Sequence, residues 1–342
     1  EIIVCDNCSS PATRQVVESL KSPKIKYVRS DRPLAMSENW DLAISHASGE
    51  YVIVIGDDDG LLLHALCEVD HLLQVLNVKV LRWERVYYSW PDIPLAEHAN
   101  KLNIPLVRKN CIFRAREVIP RVANFEIDYT ILPMLYNSAV HQDLIALLRQ
   151  KSGRVFNASS PDVYSGFAFA YLAQSYASVG RPITINAGSA RSNGVSNIAL
   201  RGESWVAQEF RLLNAKANLG CHPQVPDIPV MPAVIADAFL RAKEALFPSD
   251  AYLYLDRKRL VINCVQALRL NNEQEWIEAM RAIRHSLSDD IELQKWFDRK
   301  FSTYDPLTSA HCQGPKWTKG FDGRDLHLDA AEFGVTDLLG VA

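Results

Sequence analysis

The first 60 residues alternate between short apolar runs and segments of helical periodicity, which constrains the fold more than any other feature. The runs at 1–6, 24–28 and 51–55 are rich in β-branched and aromatic residues, whereas 9–20 and 37–50 carry apolar residues at helical spacing. Strands that alternate with helices form a largely parallel sheet joined by right-handed crossovers. We therefore predict an α/β fold with a Rossmann-like, mostly parallel sheet flanked by helices.

Capping residues predict where the two helices begin. Ser10 precedes Pro11, a pair typical of a helix N-terminus, and Ser37 is the expected cap of the second helix, which should end near Gly49. The run at 51–55 is apolar at every position, as expected for a strand that is covered on both faces.

Acidic residues follow two of the predicted strands. Asp6 comes directly after the first, and Asp57, Asp58 and Asp59 follow the third in the sequence IGDDDG. Ligands of such sheets bind beyond the carboxyl ends of the strands. Adjacent carboxylates repel one another, and a hard divalent cation such as Mg²⁺ or Mn²⁺ prefers oxygen ligands. The pattern favours a metal site, and a solvated acidic turn is the alternative.

The remaining sequence suggests three regions. We predict a catalytic domain over 1–200, a helical region over 201–301 and a poorly packed tail over 302–342. Further predicted elements are a helix within 61–76, an aromatic strand over 80–90, a loop over 91–112, a strand over 154–162, and helices over 233–247, 256–270, 273–287 and 290–301.

Charge and hydropathy exclude several classes of protein. A formal net charge of −3 gives no electrostatic case for nucleic acid as the main partner. No apolar run approaches the ~20 residues that span a bilayer, so we predict no transmembrane segment. We expect a cytoplasmic protein and leave peripheral contact with a membrane open.

Three stretches together resemble a known family. VCDNCS, SENWDLAISHASGEYVIVIGDDD and SSPD are similar to the nucleotide-sugar-binding core of family-2 glycosyltransferases with the GT-A fold. The resemblance covers about residues 1–200. It implies that the first strand of the family core and its turn, which have no counterpart ahead of Glu1, are absent, so that the catalytic domain is N-terminally incomplete.

The resemblance implies roles for the residues at the strand ends. Asp6 would recognise the nucleobase in a turn that Asn7 and Ser9 shape. Asp57 would face the ribose or the first metal oxygen, while Asp58 and Asp59 would coordinate Mn²⁺ or Mg²⁺ at the diphosphate, with the division among the three aspartates left open.

The resemblance also implies roles for four residues elsewhere. Arg32 and Asn39 would border the nucleotide or the sugar, although an amide early in a helix can simply cap or pack. Asp162 would be the general base, with a helix cap as the alternative. Arg191, in the glycine- and serine-rich loop 188–197, would close over the diphosphate unless this loop is an ordinary connector.

The implied function is inverting transfer of a sugar from a nucleoside diphosphate sugar to a hydroxyl. The acceptor would be a saccharide, a lipid-linked sugar or a small molecule, and the helical region would shape the acceptor side or a homo-oligomer contact. Two alternatives stay open at this point: a nucleotidyltransferase on a similar core, and a noncatalytic protein that binds nucleotide sugars or acts as a scaffold.

Overall fold

The computed structural model describes residues 1–106, 109–199, 204–269, 272–302 and 317–342. The strands are β1 (Ile2–Asp6), β2 (Ile25–Arg29), β3 (Tyr51–Val52), β4 (Gly60–Leu61), β5 (Val80–Ser89), β6 (Lys101–Pro105), β7 (Cys111–Arg114), β8 (Ser138–His141), β9 (Ser175–Gly188), β10 (Gly320–Phe321) and β11 (Asp325–Asp329). The α-helices are α1 (Pro11–Ser19), α2 (Met36–Ser45), α3 (Ala65–Leu76), α4 (Ala115–Ala123), α5 (Gln142–Ser152), α6 (Pro161–Ala173), α7 (Trp205–Lys216), α8 (Met231–Leu246), α9 (Arg257–Ala267), α10 (Glu273–His285), α11 (Ile291–Phe301) and α12 (Leu338–Val341). Shorter helical turns lie at Ala96–His98, Tyr129–Ile131, Leu135–Asn137, Val195–Ala199 and Ala330–Phe333.

The α/β class is confirmed, but the sheet is mixed rather than mostly parallel. Among the described strands, β1 pairs with β2 and β5 pairs with β9 in parallel, and the other pairings are antiparallel. The main sheet has the order β10-β11-β6-β5-β8-β3, and β9 joins β4, β5 and β7. The antiparallel neighbours come from chain excursions: β6 lies within the predicted loop 91–112 and returns alongside β5.

The first 60 residues form the predicted elements, with three differences at their ends. Helix α2 ends at Ser45, with His46 as its C-cap, rather than near Gly49, because the chain leaves the helix before the glycine. The N-cap of α2 is Ala35 rather than Ser37, and its N–H donates to the Glu38 carboxylate at 3.0 Å. Ser37 is instead buried, and its hydroxyl donates to the Ala158 carbonyl. The third strand is regular only over Tyr51–Val52, because the chain then turns toward the acidic residues.

The predicted strand at 154–162 does not form. The Val155 N–H, which a strand would use in a ladder, donates to the Asp41 carboxylate of α2 at 2.9 Å, and α6 begins at Pro161. Helices α8 to α11 correspond to the four helices predicted after residue 200. Helix α8 packs on α6, where the ring centroids of Phe167 and Phe239 lie 5.4 Å apart, so both helices share one core.

The predicted tail is ordered in its described part. Residues 317–342 contain β11, which pairs with β6, and α12, whose Leu338 packs against Gly60 and Leu62 next to the acidic turn. Gly323 and Gly334 lie in turns, whereas Gly320 belongs to β10 and Gly340 to α12, and Leu326 and Leu328 of β11 pair with β6. Residues 303–316 of the predicted tail lie outside the described residues. Among the helices that the structure describes, none is long and apolar enough to cross a membrane.

Candidate active site

The acidic turn after β3 is held in place by hydrogen bonds from β9. One Asp59 oxygen, Oδ1, accepts from the Ala187 N–H at 2.8 Å and from the Asn186 amide at 3.1 Å, and Oδ2 accepts from the Gly56 N–H at 2.9 Å. Both oxygens of this carboxylate therefore have protein donors, which fix the turn against the end of β9.

The neighbouring carboxylate connects the turn to the loop after β9. Asp58 Oδ2 accepts hydrogen bonds from the hydroxyls of Ser189, at 2.9 Å, and Ser192. The Asp58 carbonyl also accepts from the Trp90 indole N–H at 3.1 Å. Asp57, by contrast, is exposed.

Burial and mutual repulsion act together on these carboxyl groups. Burial raises the pKa of Asp58, and the charges of Asp59 and Asp57 raise it further, against the lowering effect of the two serine hydroxyls. Burial also raises the pKa of Asp59, although backbone N–H groups, Asn186 and the Arg85 guanidinium oppose it. A cation at this turn would offset both effects, since it favours the ionised form.

A gap beside Gly56 separates the two aspartates. A Cβ atom at this position would lie 3.1 Å from Asp58 Oδ1 and 3.1 Å from Asp59 Oδ2. The two oxygens thus face a common space that only glycine leaves open. Asp58 Oδ1 has no hydrogen-bond donor among the described residues, and a carboxylate oxygen that accepts one bond keeps a second lone pair.

This donor set fits a hard divalent cation that takes one or two carboxylates and completes its shell with water and phosphate oxygens. Within the described ranges, no group of three or more His, Cys, Asp and Glu side chains is arranged to hold a metal by itself. Asp58 and Asp59 therefore suit an ion that takes some of its oxygen ligands from the protein and the others from a bound diphosphate. They do not form a closed structural metal site.

Asp162 lies at the start of α6. Ser160 occupies the N-cap position, Pro161 is the first helical residue and Asp162 the second, so Asp162 is not the cap of this helix. Burial raises the pKa of Asp162, while the backbone N–H groups at the helix start and the Arg85 guanidinium lower it. The side chain is partly exposed, as a group that exchanges a proton with a substrate must be.

The positive charge of Arg85 opposes the effect of burial on two of these carboxyl groups, since it lowers the pKa of both Asp59 and Asp162. That Asp58, Asp59 and Asp162 act in one site stays a prediction.

Asp6 is part of a separate, closed cluster. Its side chain is fully buried, and its carboxylate accepts hydrogen bonds from the Ser9 N–H at 2.6 Å, from Arg29 Nη1 at 2.6 Å and from the Tyr27 hydroxyl. Burial opposes ionisation, but these partners outweigh it and the pKa of Asp6 lies below its ordinary value. The Asp6 carboxylate therefore connects β1 to Tyr27 and Arg29 of β2 by hydrogen bonds. Recognition of a nucleobase by Asp6 stays a prediction.

The other predicted nucleotide-binding residues lie around β1 and α2. Asn7 exchanges two hydrogen bonds with the backbone of Leu34, at 2.8 and 2.9 Å, and Asn39 accepts from the Cys5 thiol at 3.2 Å, as the packing alternative expects. Ser9 and Arg32 are exposed. Contact of these four residues with a nucleotide stays a prediction.

Arg191 is exposed in the loop that Ser189 and Ser192 attach to the acidic turn. Its guanidinium lies 5.9 Å from the centre of the Trp205 ring, within the range of a cation–π contact. The loop is therefore tied to Asp58, and the predicted contact of Arg191 with a diphosphate stays a prediction.

Several residues of the site escaped the sequence analysis. They are Arg85, Tyr129 and Tyr136 near Asp162, and Asn186, Ser189 and Ser192 on the acidic turn. Arg85 had a signal: Glu84 and Arg85 are adjacent charges between the aromatic residues Trp83 and Tyr87 of an otherwise largely apolar strand. The others become recognisable only when β9 and the turn before β8 are placed beside the acidic residues.

Comparison with known proteins bears on the N-terminal part of the chain. Residues 1–92 match the model of glycosyl transferase family 2. This match includes the acidic turn and Arg85, and it confirms for these residues the resemblance that the sequence showed. Among curated proteins, no sequence matches the chain.

Solved structures give more distant likenesses. The crystal structure of S. aureus TarS 1–349 in complex with UDP-GlcNAc is 13% identical, with a TM-score of 0.47 over 88% of this chain and 82% of that chain. The structure of TarS 1–349 in complex with UDP is 13% identical, with a TM-score of 0.45 over 88% of this chain and 78% of that chain. Another crystal structure of S. aureus TarS is 13% identical, with a TM-score of 0.46 over 88% of this chain and 49% of that chain.

Proposed function

We propose that this chain is a glycosyltransferase that moves a sugar from a nucleoside diphosphate sugar to an acceptor hydroxyl, with inversion at the anomeric carbon. The observation that carries the proposal is the acidic turn after β3, where Asp58 Oδ1 and Asp59 Oδ2 flank the gap at Gly56, within a chain whose first 92 residues match the model of a glycosyltransferase family.

The proposed reaction needs one proton acceptor and one site for the leaving group. The acceptor oxygen forms a bond to the anomeric carbon, its proton passes to Asp162, and the bond to the diphosphate breaks on the opposite face of the sugar. A single carboxylate is sufficient for this displacement, unlike glycoside hydrolysis, which uses two. Asp162 suits the role because it is partly exposed and is not the cap of α6.

The diphosphate would bind at the acidic turn together with Mn²⁺ or Mg²⁺. Asp58 Oδ1 and Asp59 Oδ2, which flank the gap at Gly56, would hold the ion. The ion would supply positive charge to the departing diphosphate. Ser189 and Ser192 would keep Asp58 in position, so the loop that carries Arg191 is connected to the donor site.

The first test is a panel of nucleotide sugars, assayed by the melting temperature of the protein with and without Mn²⁺. A ligand that binds only the folded state raises this temperature. We expect at least one nucleoside diphosphate sugar to do so in a Mn²⁺-dependent way and to support transfer to a hydroxyl acceptor. Stabilisation without turnover, for every donor and acceptor tried, would favour a noncatalytic binding protein.

The second test separates chemistry from binding at Asp162. We expect Asp162→Asn to reduce the transfer rate by roughly 10²–10⁴-fold with donor affinity unchanged, because the amide cannot take the proton. Asp128→Asn is the matched control, since Asp128 is an exposed aspartate at the N-cap of the helical turn Tyr129–Ile131. Near-normal turnover of Asp162→Asn would remove Asp162 from the mechanism.

A further inference from the structure

The segment between α5 and α6 is held by side chains of α2. Residues 153–160 form neither helix nor strand, so their backbone groups need partners outside a regular ladder. The Val155 N–H donates to Asp41 Oδ1 at 2.9 Å, and the Phe156 N–H donates to Asp41 Oδ2 at 3.5 Å. One carboxylate of α2 therefore binds two successive N–H groups of this segment.

Two further residues on the same face of α2 contact the segment. Ser37, Trp40 and Asp41 stand three and four positions apart, the spacing that places side chains on one face of a helix. The Ser37 hydroxyl donates to the Ala158 carbonyl, and the Trp40 ring packs edge-on against Phe156 with the ring centroids 5.4 Å apart. Ser37, Phe156 and Ala158 are buried, so water has little access to these contacts.

The segment leads directly into the predicted base. Ser160 is the N-cap of α6, Pro161 is its first residue and Asp162 its second, so Asp162 follows Ala158 by four residues. Pro161 is buried, and its ring restricts the backbone at the helix start. A shift of the segment would therefore move the Asp162 carboxylate, because little chain lies between them to absorb it.

Another face of α2 contacts the strand that leads to the predicted nucleotide-binding residues. Asn39 accepts a hydrogen bond from the Cys5 thiol of β1 at 3.2 Å, and Asp6 is the next residue. Helix α2 thus contacts both β1 and the segment before Asp162, with different side chains. A misplacement of about 1 Å can reduce the rate of a reaction by roughly 10²-fold, so a helix in this place is suited to control the transfer step.

We propose that Asp41 is a positioning residue for the transfer step: together with Ser37 it holds residues 155–158 on α2 and so sets the place of the Asp162 carboxylate relative to the donor site. This inference rests on the proposed function for its catalytic meaning. Its structural content, that Asp41 orders the chain up to the start of α6, does not depend on any substrate. Asp41 acts through Asp162 and takes no proton itself.

The first measurement is hydrogen exchange of backbone amides in the whole protein without a substrate. We expect Asp41→Ala to speed exchange of the amides at 155–160 by roughly tenfold or more, because the segment loses hydrogen bonds to a charged acceptor. Asp41→Asn keeps one oxygen for the Val155 N–H and should have a smaller effect. Amides at 53–60, which include the acidic turn, should exchange as in the wild type. Unchanged exchange at 155–160 in Asp41→Ala would overturn the proposal.

Asp256→Ala is the matched control for loss of a carboxylate that binds two backbone N–H groups. Asp256 accepts from the N–H groups of Lys258 and Arg259 at the start of α9, a helix that carries none of the predicted site residues. We expect this variant to leave both the exchange at 155–160 and the turnover unchanged. An equal rise of exchange at 155–160 in Asp256→Ala would mean general loosening of the protein and would count against the proposal.

Turnover separates positioning of Asp162 from a general loss of structure. With a donor and an acceptor from the panel of nucleotide sugars, Asp41→Ala should lower kcat by roughly 10- to 100-fold with little change in the donor KM. In a protein that already carries Asp162→Asn, the same substitution should lower kcat hardly any further, because no base remains to be positioned. Equal losses in both backgrounds would show that Asp41 acts independently of Asp162 and would refute its proposed role.

Ser37→Ala tests the same contact through its other hydrogen bond, in case Asp41→Ala does not fold. It should also speed exchange at 155–160 and lower kcat, in both cases by less than Asp41→Ala, since a neutral donor is lost. If Asp41→Ala, Asp41→Asn and Ser37→Ala all fail to fold while Asp256→Ala folds, the contact serves the fold and the proposal fails. A wild-type protein that transfers no sugar from any donor would refute the proposed function but leave the exchange result standing.

Discussion

Substitution of Gly56 by alanine should close the gap between the two carboxylates that we propose as metal ligands. The added Cβ would lie 3.1 Å from Asp58 Oδ1 and 3.1 Å from Asp59 Oδ2, whereas an ordinary contact begins at 3.4 Å. Each oxygen must therefore move by about 0.3 Å, which exceeds the ~0.2 Å tolerance of metal–ligand distances. Asp59 can yield little, because its oxygens accept three hydrogen bonds from the protein.

We expect Gly56→Ala to weaken Mn²⁺-dependent binding of a nucleoside diphosphate by about tenfold or more, which corresponds to ~1.4 kcal/mol. Folding stability should change by less than about 1 kcal/mol, since the loss of backbone freedom in the unfolded chain offsets the crowding. Calorimetric titration would use whichever of UDP, dTDP, GDP, ADP and CDP gives the largest Mn²⁺-dependent rise in melting temperature. Gly60→Ala is the control, because a Cβ there meets only apolar atoms, at 3.5 Å or more. Equal affinities of the two variants for the Mn²⁺ complex would refute the metal position.

Two further predictions concern stability. Asp6→Asn should lower the free energy of unfolding at pH 7 by about 2 kcal/mol, because Arg29 and its other donors lose a charged acceptor. Since the pKa of folded Asp6 is lowered, its contribution is present above the unfolded pKa of about 3.9 and is lost as the pH falls through the folded value, so the difference between wild type and variant in urea titrations should shrink as the pH falls below about 3.9. Leu338→Ala should cost about 1 to 2 kcal/mol through lost packing on Gly60, and Leu339→Ala, at a side chain that is 81% exposed, should cost much less in the same assay.

The elements of the first 60 residues could be predicted because their signals are local. Apolar runs, helical spacing and the Ser10–Pro11 pair depend on neighbours in sequence, and the structure places strands and helices where these signals lie. The end of the third strand also predicted the acidic turn, because consecutive carboxylates after an apolar run have few structural uses. Ser37 misled the analysis because a buried hydroxyl bonded to Ala158, 121 residues away, looks the same in sequence as a helix cap.

The strand order and the partners of the aspartates could not be predicted, because they depend on long-range pairing. Whether β6 lies parallel or antiparallel to β5 is decided by how the chain between them returns, which no short pattern specifies. Apart from the Gly56 N–H, the donors to the carboxylates of Asp58 and Asp59 come from residues 127 to 134 positions later in the chain. The position of Arg85 depends on a register shift between β5 and β9, so a simple alternation rule assigns it to the wrong face.

The hydrogen-bond partners of the three aspartates suggest a division of roles, which the sequence left open and which we propose here. Asp59 accepts from two backbone N–H groups and an amide, so most of its capacity maintains the turn. Asp58 Oδ2 accepts hydrogen bonds from two serine hydroxyls, and a hydroxyl can rotate to release such a bond. Asp58 Oδ1 faces the gap at Gly56 without a donor among the described residues. Asp57 is exposed and better suited to a ligand that approaches from solvent. Loss of the Asp58 carboxylate should therefore act chiefly on metal and diphosphate binding, whereas loss of the Asp59 carboxylate should first release the turn from β9.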